Sequence, residues 1–287
     1  MGTLAERLHA EFPGSSGRSV KQWLAAGRVR LNAQVVRDPR TPVTPRDRVT
    51  LGPPSPRTAS APAPPLPFGL HVVHEDATLV VIDKPPGLLT IATEQERGRT
   101  AYRVLWDLLA ARRPPARPFI VHRLDRETSG LLVVARTPAA KAALQAQFAA
   151  RTVDRGYVAL VEGVMRKDGQ TLTDRLEEDA DHRVRIAREP RRSGREAITR
   201  YRVRERGRDV TLIDIALGTG RRHQIRVQLA AIGHPVVGDA RHGSRRDPLD
   251  RVCLHASILG FVHPGSGEPV RFESPAPPAF ARVVRGV

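Results

Sequence analysis

Asp125 is the carboxylate in this sequence best placed to do chemistry. It sits in "HRLDRETSG", residues 122–130, between Arg123 and Arg126, and the chain then runs straight into the apolar "LLVV". Neighbouring positive charge favours the ionised form, which can attack an electrophile and is a poor proton donor. The same spacing suits a turn aspartate whose side chain bonds nearby backbone amides, and this stretch alone does not choose between the two. Three more stretches carry reactive residue types. "GTGRRHQIRVQLAAIGHPVVGD", residues 218–239, opens on a glycine-bounded turn. Its spacing predicts a helix from about Arg222 that buries Ile225, Leu229 and Ile232 and sets Arg222 and Arg226 on a neighbouring face. "RGYVALVEG", residues 155–163, starts a strand near Tyr157 in a chain with three tyrosines, and "LHASILGFVHP" follows at 254–264. His122, His223 and His255 lie in these stretches without any metal-ligand spacing, so each reads first as a satisfied structural histidine. Lys84, ahead of Pro-Pro-Gly, reads equally as a phosphate contact, a cap on a cleft, or a solvated lysine.

These residues belong to a chain of 287 with 47 Lys and Arg against 30 Asp and Glu, a net charge of +17. Arginine-rich codon usage would explain why only four of those cations are lysine. It would not explain the excess of cations over anions, which points to a polyanionic partner. The single cysteine, Cys253, excludes a disulfide framework and a cysteine metal site. The first residues show no secretory or myristoylation pattern, and no apolar run approaches the roughly 20 residues that span a bilayer. The expectation is a soluble cytoplasmic protein with no membrane partner.

The elements that must position the reactive residues fall into two units. Residues 53–67, "PPSPRTASAPAPPLP", have little to bury and many positions closed to helix or ladder, so they read as a semi-rigid linker. Ahead of it, residues 1–52 carry nine cations and four acids, +5 net, with a helix stopped at Gly27 and a short hairpin of Val29 and Leu31, across Asn32, to Val35. Behind it, residues 68–287 open on two apolar strands around an acidic turn and stop at Pro85-Pro86-Gly87. Helices are expected at 100–112 and 138–149, and strands near 131–135, 157–162, 198–204, 210–216 and 253–262. Strands in runs with few helices between them predict an α+β domain with a mixed, largely antiparallel sheet. Eleven arginines fall between Arg183 and Arg208, some to keep strand edges soluble and others to meet phosphates.

The order "DKPPGLL", "HRLDRETSG", "RGYVALVEG", "TGRRHQIR", "LHA…FVHP" resembles the RluA family of pseudouridine synthases across residues 68–280. The basic helix and hairpin in front resemble the small α/β RNA-binding domain named after ribosomal protein S4, with Ala33 and "TPRDRV" departing from its usual pattern. The resemblance implies a catalytic domain with a central active-site cleft. In it Asp125 would be the essential aspartate that breaks the N-glycosidic bond of a uridine, and Arg226 the arginine that pairs with it. Tyr157 would stack on the uracil and be a candidate base for carbon five, Ile225 would pack beside the ring, and Arg123 would fill the gap left by the extruded base. Lys84, Arg222 and His223 would join in binding substrate. The reaction is an isomerisation, so neither cofactor nor metal is expected. The implied partner is structured RNA, ribosomal RNA favoured and transfer RNA possible, met by a monomer. Gln228, His242 and Arg155 depart from the family's commoner histidine, tyrosine and lysine, and they bear on substrate choice.

Two other readings compete. A non-catalytic RNA-binding or assembly factor would keep the basic surface and would have no reason to keep Asp125, Tyr157 and Arg226 together. A glycosidase would need a second carboxylate as acid, and none stands out in these stretches.

Overall fold

The computed structural model describes residues 2–12, 17–25, 27–52, 66–94, 96–112, 115–180, 183–187 and 193–287. Most of the 53–67 stretch, and Arg188, Arg191 and Arg192 of the arginine-rich segment, lie outside the described residues.

The N-terminal unit comprises β1 (Gly2–Thr3), α1 (Leu4–Glu11), α2 (Gly17–Ala25), β2 (Val29–Leu31), β3 (Gln34–Val35), β4 (Pro42–Val43) and β5 (Val49–Leu51). Thr3 starts α1 through a reciprocal cap with Glu6. Leu4, Leu8, Trp23, Leu24 and Val29 close a small core of its own, over a sheet of order β3-β2-β5. The expected hairpin forms with Asn32 at φ 51° and Ala33 at φ 72°, so an alanine occupies a left-handed position that glycine would hold without strain. Trp23 donates its indole N–H to Glu268 of the large unit, and both residues are buried.

The large unit runs β6 (His71–Glu75), β7 (Leu79–Lys84), α3 (Ala101–Ala110), β8 (Phe119–Ile120), β9 (Ser129–Ala135), α4 (Pro138–Ala149), β10 (Asp154–Glu162), β11 (Gly169–Glu178), β12 (Val184–Ile186), β13 (Arg195–Arg206), β14 (Val210–Leu217), α5 (Gln224–Ala231), β15 (Leu254–Val262), β16 (Pro269–Glu273) and α6 (Pro278–Arg285). Its strands form one sheet along the path β12-β11-β13-β14-β10-β15-β9-β7-β6, with β16 added to β15 and β8 to β9. Each pairing is antiparallel except β15 with β9. This is the α+β fold with a mixed, largely antiparallel sheet. No helix among the described residues is long and apolar enough to cross a membrane.

The run "SGLLVVA" forms β9 because the strand is covered on both faces. Leu131 and Val133 pack with Leu144 of α4, while Leu132 and Val134 pack with Leu105 and Leu109 of α3. Thr100 caps α3 and Thr137 caps α4, each accepting a backbone N–H three residues on. Where β9 and β15 run parallel, Gly130 lies opposite Ala256 at φ 109°. A Cβ there would sit 2.2 Å from the Ala256 carbonyl oxygen, so only glycine lets the two backbones close and fixes where the preceding loop emerges.

One expected helix boundary is corrected. Helix α5 begins at Gln224, not near Arg222, because His223 takes a left-handed φ of 51° and stands at the N-cap position. Arg222 therefore shares no helical face with Arg226. Ile232 falls past the helix end and is 37% exposed, so it does not join the buried face of Ile225 and Leu229.

Candidate active site

Asp125 lies in the loop between β8 and β9, and the segment after β7 clamps that loop on both sides. Thr90 Oγ1 donates to the Leu124 carbonyl at 2.8 Å and accepts from the Leu124 N–H at 3.2 Å. The Arg126 carbonyl accepts from Gly87 N–H at 2.8 Å and from Lys84 Nζ at 3.2 Å. The turn closes through a backbone bond, Thr128 N–H to the Asp125 carbonyl at 3.2 Å. Arg126, next in sequence, turns away and donates to the Gly87 carbonyl. The Asp125 side chain is thus left to face Arg226 Nη1 at 3.6 Å.

Arg226 projects from α5, which is seated by a satisfied polar network. Gln224 accepts from Thr219 Oγ1 and Arg221 N–H and donates to the Ile198 carbonyl and Thr199. Gln228 accepts from Thr199 and donates to Asp174 and the Ala197 carbonyl. The glutamine at 228, where the family more often has histidine, therefore leaves no hole. The Arg226 guanidinium, 2% exposed, is held bidentately by Asp239 at 2.6 and 2.7 Å and also meets Glu127 at 3.0 Å. Burial alone would lower its pKa. The Asp239 bonds and the charges of Asp239, Asp125 and Glu127 more than reverse that, so it stays charged. His242 accounts for its own departure from tyrosine by bonding Asp239 at 2.9 Å.

Tyr157 projects from β10 where the register to β15 shifts, with Ser257 of β15 as the extra residue. The ring bridges the cores on either side of the strand. Burial pushes its phenol up to about 12, with Arg155 opposing and Asp125 adding to the shift. Asp125, Tyr157, Arg226, Ile225, Arg123, Arg222 and His223 line one cleft of about 490 Å³, within the range that takes a small ligand. The structure therefore gathers seven of the eight residues singled out from sequence.

A family model described as RNA pseudouridylate synthase matches residues 78–231, more than half of the chain. The chain belongs to the RluA family of RNA pseudouridine synthases. An S4 domain model matches residues 4–49. The synthase is 37% identical over 281 residues to a ribosomal large subunit pseudouridine synthase D of Xylella fastidiosa, covering 93% of this chain and 83% of that one. It is 35% identical over 276 residues to the uncharacterized RNA pseudouridine synthase YlyB of Bacillus subtilis, covering 95% and 89%. The solved structure of human RNA pseudouridylate synthase domain containing 1 matches with a TM-score of 0.62 at 27% identity, over 76% of this chain and 89% of that one.

Several features of the synthase differ from the sequence reading. Lys84 neither reaches a phosphate nor stands in solvent. It is 0% exposed, and its ammonium donates to the carbonyls of Pro85, Leu88 and Arg126. It ties the segment after β7 to the loop bearing Asp125. Arg222, expected on substrate, pairs with Glu178 at 2.5 Å. His122 and His255 are satisfied structural histidines: His122 Nε2 accepts the Val133 N–H, and His255 bonds Ser129 and Ser274. His223 differs, since its Nδ1 is buried without a partner among the described residues. Burial and the cations around it hold it neutral, with a pKa pushed down to about 3. Sequence reasoning passed over Glu127 and Asp239, both inside the quoted stretches. The signal was faint, because Asp239 lies 13 residues beyond Arg226 with a turn between them.

Lys84 carries a test of its own. Burial pushes its pKa down to about 7 against the pull of Asp125 and Glu127, while the unfolded chain titrates near 10.4. Between those values the unfolded state binds more protons, so this group adds stability as pH rises through the window and loses it as pH falls through the lower one. Lys84→Met strips three carbonyls of a donor, an expected loss of about 1–3 kcal/mol, and removes that slope. Urea midpoints at two pH values, one near each end of the window, should show the gap between wild type and variant widening at the higher pH. Parallel pH dependences would refute the buried assignment.

Proposed function

We propose that the synthase converts a uridine of ribosomal RNA to pseudouridine, as a cytoplasmic monomer needing no cofactor, with Asp125, Tyr157 and Arg226 as its reacting set. The observation that carries this is the Asp125 carboxylate, freed from local backbone bonds and set against the Arg226 guanidinium in a cleft walled by Tyr157. A stacked uridine must first be flipped out, costing a few kcal/mol that phosphate contacts offset. Arg123, exposed at the cleft beside Asp125, is placed to fill the vacated stack. Tyr157 and Ile225 hold the ring while Asp125 engages the sugar. A phenol held near 12 keeps its proton at neutral pH, which favours Tyr157 as the platform over Tyr157 as the base for carbon five.

Ribosomal RNA is favoured on two grounds. Relatives in Xylella fastidiosa and Haemophilus influenzae are named ribosomal large subunit pseudouridine synthase D. The matched S4 domain carries nine cations against four acids and so supplies +5 of the chain's +17. On β13, Arg200 and Arg202 are exposed and unmatched by acid among the described residues, whereas Arg204 and Arg206 pair with Asp214 and Asp168. The first pair suits phosphate contact and the second holds strands. The proposed domain division is an RNA-binding unit at 1–52, a linker at 53–67 and a catalytic unit at 68–287. Pseudouridine mapping in all stable RNA from cells lacking the protein tests the substrate. At least one ribosomal site should disappear and return with the wild-type gene. Loss confined to transfer RNA would overturn the assignment.

A further inference from the structure

Arg155 lines the cleft and pairs with no acid among the described residues. Of the other arginines lining that space, Arg226 meets three carboxylates, Arg222 meets Glu178, Arg151 meets Glu196, Arg221 donates to the Glu196 carbonyl, and Arg123 is exposed to solvent. Arg155 is half-buried, its side chain makes no hydrogen bond to any described residue, and its Nε is buried without a partner among them. Its guanidinium lies over the Phe148 ring, 5.7 Å from the centroid. Nη1 presses so near Gly220 that a Cβ there would be 2.4 Å away. Burial holds its pKa below the ordinary arginine value. Leaving the Nε N–H buried without an acceptor costs about 1–3 kcal/mol, and a cation–π contact returns only about 0.5–2. In the free enzyme the balance is unfavourable, so the site is built for a negative charge that arrives later.

We propose that Arg155 is a catalytic residue that takes up the negative charge appearing on the uracil ring when its bond to C1′ breaks. The inference rests on the reading of Asp125 and Tyr157 as the reacting pair. The C1′–N1 electron pair leaves with the ring, giving a uracil monoanion with charge spread over N1, O2 and O4, while Asp125 answers the electron deficiency at C1′. On reattachment a ring electron pair forms the C5–C1′ bond, the proton on C5 departs and N1 gains one, so the sum is an isomerisation. Arg155 and Tyr157 stand two apart on β10 and both face the cleft, which sets their side chains roughly 7 Å apart along the strand. A ring stacked on the phenol then turns an edge toward the guanidinium. A phosphate has another cation to meet at the cleft, Arg123, which is exposed to solvent.

The test uses full-length enzyme in excess over total RNA from cells lacking the synthase, following pseudouridine under single-turnover conditions. Arg155→Gln should lower the saturating rate by about 100-fold, the scale of losing one preorganised charge donor. The enzyme concentration giving half that rate should stay within about threefold of wild type. Arg155→Lys, which keeps the charge, should recover most of the rate, and equal thermal midpoints for the two variants exclude a folding defect. If Arg155→Gln fails to fold, Arg155→Lys against Arg155→Met, which keeps the apolar stem, makes the same comparison. A higher half-saturating concentration at an unchanged rate would mean a phosphate clamp and overturn the inference, as would no change in either quantity. Asp125→Asn runs alongside. If that variant is dead while Arg155→Gln keeps its rate, this inference alone falls; if Asp125→Asn keeps its rate, the reading beneath it has fallen too.

Discussion

Asp125→Asn should cut single-turnover pseudouridine formation by more than about 10⁴-fold, the scale on which loss of a catalytic nucleophile is felt, and leave RNA affinity nearly unchanged. The substitution is isosteric, so the loop should keep its shape. That loop is held by Thr90 on Leu124 and by Lys84 and Gly87 on Arg126, none of which uses the Asp125 side chain. Arg226 would not move either, since its two shortest bonds go to Asp239. What changes is the charge available to meet an electron-deficient C1′. A neutral amide is a poor nucleophile and cannot stabilise that centre. Affinity comes instead from phosphate contacts spread over basic surface, so binding should survive. The measurement is a rate at saturating enzyme together with a binding isotherm at fixed salt. A variant retaining a tenth of wild-type rate would remove Asp125 from the chemistry, and a large loss of binding would make it an RNA contact.

The site was legible in the sequence to different depths. Asp125, Arg226 and Tyr157 were placed through long stretches in a fixed order. The stretch around Asp125 left a turn aspartate and a reactive one open, and the other stretches in order favoured the reactive one; the coordinates add which atom closes the turn. The backbone carbonyl of Asp125 does so, leaving the carboxylate over. The apolar strands β7, β9, β10, β14 and β15 were readable because burial on both faces makes them runs of Val, Ile and Leu. Strand β11, "GQTLTDRLEE", was missed, since only Leu172 and Leu176 of its ten residues are buried and its pattern reads as loop. Lys84 was misread for a related reason. Lysine is rarely fully buried, and the carbonyls that receive it come partly from residue 126, which spacing along the chain does not bring near. The start of α5 was misplaced because a non-glycine residue, His223, takes the left-handed conformation there, which composition gives no reason to expect.

Arg226→Met should cost about 3–5 kcal/mol of stability and abolish activity, and the two losses should separate on a second substitution. The stability loss comes from Asp239, 1% exposed, which would be left as a buried carboxylate without its guanidinium. Burial alone would raise that carboxyl. The bonds from Arg226 and His242 instead hold it well below the usual carboxylate range, so its contribution is present above the unfolded value of about 4 and fades as pH falls below it. The destabilisation of Arg226→Met should therefore be large at neutral pH and shrink in acid. Adding Asp239→Asn removes the stranded charge and should return much of the lost stability at neutral pH, since deleting both members of a buried pair costs less than deleting one. Activity should not return, because Asp125 still lacks the guanidinium that stands 3.6 Å from it in the wild type. Denaturant unfolding at neutral and acidic pH reads the first effect and single-turnover rates read the second. Recovery of activity in the double variant would make Arg226 a structural strut for Asp239 and nothing more, and the pairing with Asp125 would then be incidental.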